Sequence, residues 1–375
     1  MLCRADKELK LVDGAATDFA NKVLAPNREE YDQYPFGQFW DGVVKKAFDL
    51  GFFHLTLPAE LEGMGHGLAG LSVVLKSICA QDASLGGMLF TNAMAQEILL
   101  AAKAEKLLEE KIVKQEDVYK FLLAFPAFNN PSEVRHVATV TKSKGKRLLS
   151  GDVQYVVLGG LSAYALLPAS VEGSKDFSFF LVDLASKKVS LSEPIFSLGL
   201  HACPAVDITL DKAPAVLVGE EGAGKKYFDR VADRMAVAQA AMATGIMEGC
   251  FAEALAYARE REQGGQKIVN WSEVRMMLAN IAIQAKSAEM MLSRACEAVD
   301  QKQPKWEAAA RVAAIQACAY ACEATTDGIQ VLGGVGYMKD HGQEKRFRDA
   351  KQIQALMGIA PMKKLRHIRS ILEKR

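Results

Sequence analysis

His201 and Cys203 stand two residues apart in Gly199-Leu200-His201-Ala202-Cys203-Pro204-Ala205. In a strand that spacing puts both side chains on one face, where an imidazole can take a thiol proton and leave a nucleophile. No carboxylate follows nearby to orient the imidazole, so the segment reads as ordinary sheet residues. Gly219-Glu220-Glu221-Gly222-Ala223-Gly224 has glycines but lacks the Lys-Ser/Thr pair of a phosphate loop, and reads as a domain junction. The seven cysteines contain no CxxC pair; Cys318 and Cys322 lie four apart on an apolar helical stretch, while Cys79, Cys250 and Cys296 sit among Ala, Met and Leu. Reduced core thiols in a cytosolic protein are expected, with no metal and no disulfide. The run Lys363-Lys364-Leu365-Arg366-His367-Ile368-Arg369 reads as a solvated helix face whose Leu365, Ile368 and Leu372 pack inward.

These residues need a large scaffold. At 375 residues and 50% apolar content the chain exceeds one compact core, so several domains are expected. With 46 Lys plus Arg against 45 Asp plus Glu, the net charge of +1 supplies no field for nucleic acid or an anionic membrane. Met1 to Lys10 mixes charges with scattered apolar residues, so no signal peptide is expected there. Nor does an uninterrupted apolar run approach the roughly 20 residues of a membrane span. A cytoplasmic location is the expectation.

Three textures follow one another. Residues 1–117 are periodic at helical spacing, with Val12 to Leu24, Phe39 to Phe52, and Gly67 to Leu99 as one or two buried helices. Residues 118–222 carry short β-branched and aromatic runs: Val137 to Thr141, Tyr155 to Leu158, Phe177 to Val182 and Val206 to Leu210. Lys142 to Lys146 and Glu172 to Asp176 read as hairpin loops of an antiparallel barrel or sandwich. Residues 223–375 return to helix, with Ala232 to Arg261, Trp271 to Asp300, Trp306 to Leu332, and a last helix from Glu344 interrupted at Gly358 to Pro361. The predicted class is α+β: a helical domain, a middle antiparallel β domain and a C-terminal four-helix bundle.

Three motifs in the last third then acquire meaning. Tyr257-Ala258-Arg259-Glu260-Arg261 with Gln263, Gly265 and Ile268 resembles YARER-x-QFG-x-x-I of the acyl-CoA dehydrogenase family, with Gly264 in place of the aromatic. Gln330-Val331-Leu332-Gly333-Gly334-Val335-Gly336-Tyr337 resembles its QxxGGxGY, and Glu344 to Lys351 its ExxxRDAK. Weaker likeness covers nearly the whole chain, including Leu55 to Gly65. The resemblance implies FAD bound across a subunit interface and α,β-dehydrogenation of a CoA thioester.

One half of such a site is what a chain offers its neighbour's FAD. The resemblance assigns to it Arg261, whose guanidinium fork suits a pyrophosphate, together with Gln263, Gln330, Gly333 and Gly334, which let backbone and amide approach closely. A tight turn between helices is the plainer reading of Gly333 and Gly334, but packing alone gives no reason for Arg261, and the cofactor role is preferred.

The other half is what a chain supplies to its own flavin, and here the sequence departs. The family's TEPxAGSD loop appears as Ala124-Phe125-Pro126-Ala127-Phe128-Asn129-Asn130, and its WIT/S as Tyr155-Val156-Val157. Tyr155 retains a ring that can stack; Val157 has lost the hydroxyl. The family's YEGT falls on Leu356-Met357-Gly358-Ile359, with Met357 at the catalytic glutamate and Ile359 at the FAD-binding threonine. A thioether is not basic enough to take the α proton. At the family's alternative base position the ungapped alignment puts Met235, with Ala236 at the accompanying Arg; a two-residue shift would make Asp233 the base.

The leading expectation is therefore a non-catalytic subunit completing a sister acyl-CoA dehydrogenase subunit's FAD site in trans. The acyl-CoA thioester would be the substrate, and electron-transfer flavoprotein a further partner. The alternatives are a self-sufficient enzyme using Asp233, and a flavin-free acyl-CoA binding protein or non-redox enzyme. A face for CoA phosphates is the lesser reading of Lys363 to Arg369.

Overall fold

The computed structural model describes residues 7–133, 138–143, 145–172, 174 and 176–373. The first helix, α1 (Lys7–Phe19), continues as a wider π turn over Ala20–Leu24. Short helices α2 (Arg28–Tyr31) and α3 (Lys45–Asp49) follow, and then the buried pair α4 (Gly67–Cys79) and α5 (Ala83–Ala101). One apolar stretch becomes two helices because Asp82 caps the second, its carboxylate accepting from the N–H groups of Ser84 and Leu85. Residues Ala83 to Leu99 of α5 are all buried, among them Leu85, Leu89 and Phe90; each such Leu or Phe contributes roughly 1.5–3 kcal/mol.

After α6 (Glu105–Leu108) and α7 (Val118–Phe121) come strands β1 (Leu123–Ala124), β2 (Ala138–Ser143), β3 (Lys146–Val157), β4 (Tyr164–Ser170), β5 (Phe177–Asp183), β6 (Val189–Leu191) and β7 (Ala205–Val218). The order β1-β4-β2-β3-β7-β5 closes on itself through β4–β5, giving a barrel. Its ladders are antiparallel except β1–β4 and β2–β4, which are parallel and correct the all-antiparallel expectation. In the expected strand Val137 to Thr141, Val137 lies outside the described residues, as do Lys144, Gly173 and Lys175 of the two expected hairpin loops and Met1 to Asp6 of the N-terminus.

The C-terminal bundle is α8 (Gly224–Glu260), a small hairpin of β8 (Glu262–Gln263) and β9 (Gln266–Lys267), α9 (Ser272–Asp300), α10 (Trp306–Leu332), α11 (Gln343–Ile353) and α12 (Ala360–Leu372). Helix α8 starts eight residues before the expected Ala232, at the junction glycines. It crosses α4 at backbone distance: a Cβ on Gly245 would lie 2.1 Å from the Lys76 carbonyl oxygen, and one on Gly249 1.9 Å from that of Ala80. By length and composition α8 could span a membrane, yet 83% of its most apolar window is buried within the protein.

Helix α12 reverses its expected orientation. Leu365, Ile368 and Leu372 are 49%, 44% and 66% exposed, while Lys363 reaches Gln239 and Gln354, and Arg366 reaches Asp229 and Asp233. The break after Ile353 resets the helical phase, and the charged residues find acceptors on α8 that the leucines lack.

A buried ion cluster joins the early helices, the barrel and the bundle. Lys345 Nζ lies 2.7 Å from Asp349 Oδ2 and 3.2 Å from Asp82 Oδ2. Arg348 Nη2 is 2.7 Å from Asp32 Oδ2, and the Leu200 N–H donates to Asp349 Oδ1 over 2.7 Å.

Candidate functional site

The segments that the sequence singled out gather at two places. At the first, Ala124–Asn130, Tyr155–Val157 and Leu356–Ile359 meet. Phe125 and Val157 exchange backbone hydrogen bonds of 3.0 Å each, extending β1 onto the end of β3. The Met357 N–H donates to the Ala127 carbonyl over 2.7 Å. Tyr155 packs edge-on against Phe128, with ring centroids 5.3 Å apart, and its hydroxyl accepts from Gln352 Nε2 at 3.0 Å. The ring that could have stacked on a ligand is thus held between a neighbouring ring and a glutamine.

Backbone strain accompanies this docking. Met357 sits at φ 61° and Tyr155 at φ 55°, a region that disfavours residues with a Cβ. The Tyr155 N–H is pinned by Asp207 Oδ1 at 2.8 Å. Asn130 turns its amide to Glu133 and its oxygen to the Ser132 N–H, and Asn129 donates to the Gln154 carbonyl.

Met357 faces a cavity of about 40 Å³ lined also by Asp233, Gln239, Arg311, Lys363 and Arg366. Asp233 is gripped by Arg311 through two contacts of 2.9 and 3.2 Å, with Arg366 at 3.3 Å. Burial raises its pKa against the pull of the two guanidinium groups. Lys363 donates to Gln239 Oε1 and the Gln354 carbonyl, and burial pushes its pKa down to about 8. Sequence reading missed this lysine because the break before α12 hides which face turns inward.

His201 and Cys203 lie in the turn before β7, not in a strand. A carboxylate does reach the imidazole: Asp32 Oδ1, 3.2 Å from Nδ1 and 169 residues away in sequence. Nδ1 also lies 3.2 Å from the Asp32 backbone carbonyl oxygen, and the neighbouring Asp32 carboxylate raises the His201 pKa. Cys203 is buried, and desolvation pushes its thiol well above the usual range, so it is no nucleophile at neutral pH. Cys79, Cys250, Cys318 and Cys322 are likewise free and buried, and Cys296 is buried.

The second place is the far end of α8. Gly264 (φ 65°) and Gly265 (φ 83°) form the tip of the β8–β9 hairpin, a two-residue turn that needs positive φ at both positions. Gly333 (φ 62°) ends α10 as its C-terminal cap. Between hairpin and cap lies an open pocket of about 380 Å³, into which Arg261, Gln263, Gln330 and Gly333 all project. Gly334 follows, exposed, in the next turn. Arg261 and Gln330 are exposed, and no side-chain acceptor or donor meets them among the described residues. An unpaired guanidinium beside an unpaired amide and a Cβ-free turn fits an anionic, phosphate-bearing ligand.

The two places do not face each other. Gln239 of the cavity and Tyr257 of the pocket both lie on α8, and at 1.5 Å per residue they stand roughly 27 Å apart.

Comparison with known proteins gives one consistent result. Residues 6–111 match the family model described as acyl-CoA dehydrogenase, N-terminal domain, and residues 222–370 match acyl-CoA dehydrogenase, C-terminal domain. A cyclohexane-1-carbonyl-CoA dehydrogenase of Geobacter metallireducens is 29% identical, over 98% of each chain. The caffeyl-CoA reductase-Etf complex subunit CarC of Acetobacterium woodii is 25% identical over 95% of this chain and 96% of its own. Among solved structures, butyryl-CoA dehydrogenase from Megasphaera elsdenii superposes with a TM-score of 0.89 at 21% identity, covering 99% of this chain and 100% of its own.

Proposed function

The chain belongs to the acyl-CoA dehydrogenase family, and from that premise we propose that it is a non-catalytic subunit of a hetero-oligomeric dehydrogenase. It would lend Arg261, Gln263, Gln330 and the Gly333-Gly334 turn to the FAD of a sister subunit. The observation that carries this reading is the contrast between its two halves. The Met357 N–H is bonded to Ala127, and Asp233 in the cavity beside it is held by Arg311, whereas Arg261 and Gln330 line an open pocket with no side-chain partner among the described residues.

The residues present fit the trans half of the cofactor and do not fit the cis half. Val157 and Ile359 offer no hydroxyl, Asn130 is engaged with its own loop, and Met357 cannot accept a proton. In the assembly the flavin would receive the substrate's hydride, the sister chain would take the α proton, and this chain would hold phosphate charge in place. Electrons would pass on to an electron-transfer flavoprotein, in keeping with the Etf-complex subunit among its relatives.

A second reading has one observation in its favour: Asp233 shares the cavity with Met357 and has a raised pKa. Its bidentate Arg311 partner argues against it, because a carboxylate engaged by two guanidinium groups is not free to accept a carbon-bound proton.

The test is to purify the chain alone and co-expressed with a family member that carries glutamate at the position of Met357. Of the two sites in a mixed dimer, one would join the sister's intact cis half to this chain's trans half. The other would rest on this chain's closed cis half. One FAD per two chains is therefore expected, and none in the lone chain. A flavin-replete, active preparation of this chain alone would overturn the proposal.

A further inference from the structure

Two donors that line the cavity beside Met357 are claimed by no anion. Arg311 uses Nε and Nη2 on Asp233 at 2.9 and 3.2 Å, while its Nη1 is buried and has no hydrogen-bond partner among the described residues. Lys363 donates to Gln239 Oε1 at 3.3 Å and to the Gln354 carbonyl at 3.0 Å, both neutral acceptors. Arg366, the third cation of the lining, is shared between Asp229 and Asp233. Asp233, the one carboxylate of the lining, is thus matched by two guanidinium groups, and the lysine by none. Beyond the lining, Asp229 is also paired with Lys225, and Glu133 is exposed and takes the Asn130 amide. The Cys318 thiol near Lys363 stays neutral, because burial pushes it to about 12.

A buried guanidinium nitrogen without an acceptor and a desolvated amine with only neutral acceptors are each unfavourable, and the two oxygens of one carboxylate satisfy both. Ala236, Ala314, Ile315 and Met357 make the rest of the wall largely apolar. An inorganic anion gains nothing from such a wall, whereas the methyl end of a short carboxylate does. The volume of about 40 Å³ lies far below the roughly 300 Å³ at which pockets for larger ligands begin, so the ligand is compact. We propose that this cavity binds a short-chain monocarboxylate of the size of acetate, its oxygens shared between Arg311 Nη1 and the Lys363 amine. The inference is independent of the FAD reading, which concerns the pocket at the other end of α8.

The experiment titrates the full chain with acetate and reads the dissociation constant from the rise of the thermal midpoint. Acetate is expected to bind at least about tenfold more tightly than acetamide, its uncharged analogue, and than chloride. Lys363→Met should weaken acetate about tenfold. Met357→Glu brings a carboxylate of its own into the cavity and should abolish acetate binding without removing a cation. Binding keeps the amine protonated, and burial lowers Lys363 to about 8 in the free chain. Acetate affinity should therefore fall by up to about tenfold per pH unit above that value in the wild type, and not in Lys363→Met. An unmoved midpoint, or equal binding of acetamide or chloride, would overturn the carboxylate assignment. So would acetate binding of wild-type strength in both variants. The FAD content of the co-expressed complex tests the other pocket and does not depend on either result.

Discussion

The Met357 N–H and the Ala127 carbonyl form a 2.7 Å hydrogen bond between segments that lie 230 residues apart in sequence. The bond is made by backbone, so it does not depend on which side chain occupies position 357.

Restoring the acid alone should therefore fail. Met357→Glu is expected to fold, since the Lys363 amine lines the same cavity and can pair with the new carboxylate. It should not show the ~100-fold or greater gain that a positioned base provides, measured with acyl-CoA and an artificial electron acceptor. Strong turnover in the purified variant would mean that the Ala127 contact opens readily.

Asp233→Asn should act on stability and not on catalysis. It leaves Arg311 and Arg366 facing a neutral amide at a site where the Asp233 and Arg311 side chains are 12% and 16% exposed. A loss of roughly 2–3 kcal/mol in chemical denaturation is expected, with the activity of the co-expressed complex retained after correction for folded protein. Abolished activity in a stably folded variant would favour Asp233 as the base.

The pH dependence should carry opposing signatures. Asp32 raises the folded-state pKa of His201, so the stability this pair supplies is fully present below about pH 6.5 and fades as pH rises through the folded value. Lys363 behaves oppositely: burial lowers its pKa from 10.5 to about 8, the unfolded chain binds more protons between those values, and stability rises with pH across that window. His201→Asn should flatten the denaturation midpoint between about pH 6 and 8. Lys363→Met should raise the midpoint at neutral pH and remove the alkaline rise.

The orientation of α12 gives a sharp contrast. Leu365→Ser and Ile368→Ser, at exposed positions, should change stability by no more than about 0.5 kcal/mol. Arg366→Ala, which removes contacts to Asp229 and Asp233, should cost more than either. Thermal melts of the three variants decide which face of the helix is buried.

Much of the architecture was readable because it is local. Helical periodicity located α9 and α10, and Gln330 with the glycines after Leu332 marked the pocket that their ends enclose with the hairpin. Strand β4 was missed because Pro168 interrupts an otherwise apolar run, although its partner Phe179 on β5 still pairs with it. What sequence could not show depends on distant chain segments meeting. Asp32 finds His201, Ala127 finds Met357, and Trp271 fills the space over Gly264. No periodicity records such meetings, and for α12 the phase itself was lost at the break.

The ion cluster around Lys345 has a last consequence for how the chain can be divided. Asp32 and Asp82 come from the early helices, Leu200 from the loop before β7, and Lys345, Arg348 and Asp349 from α11. A fragment that ends before α11 would leave Asp82 without Lys345 and Asp32 with only His201, and the bundle expressed alone would leave Lys345 and Arg348 without these two carboxylates. The three regions should therefore melt in one cooperative transition, and limited proteolysis within the barrel should yield no fragment that survives by itself.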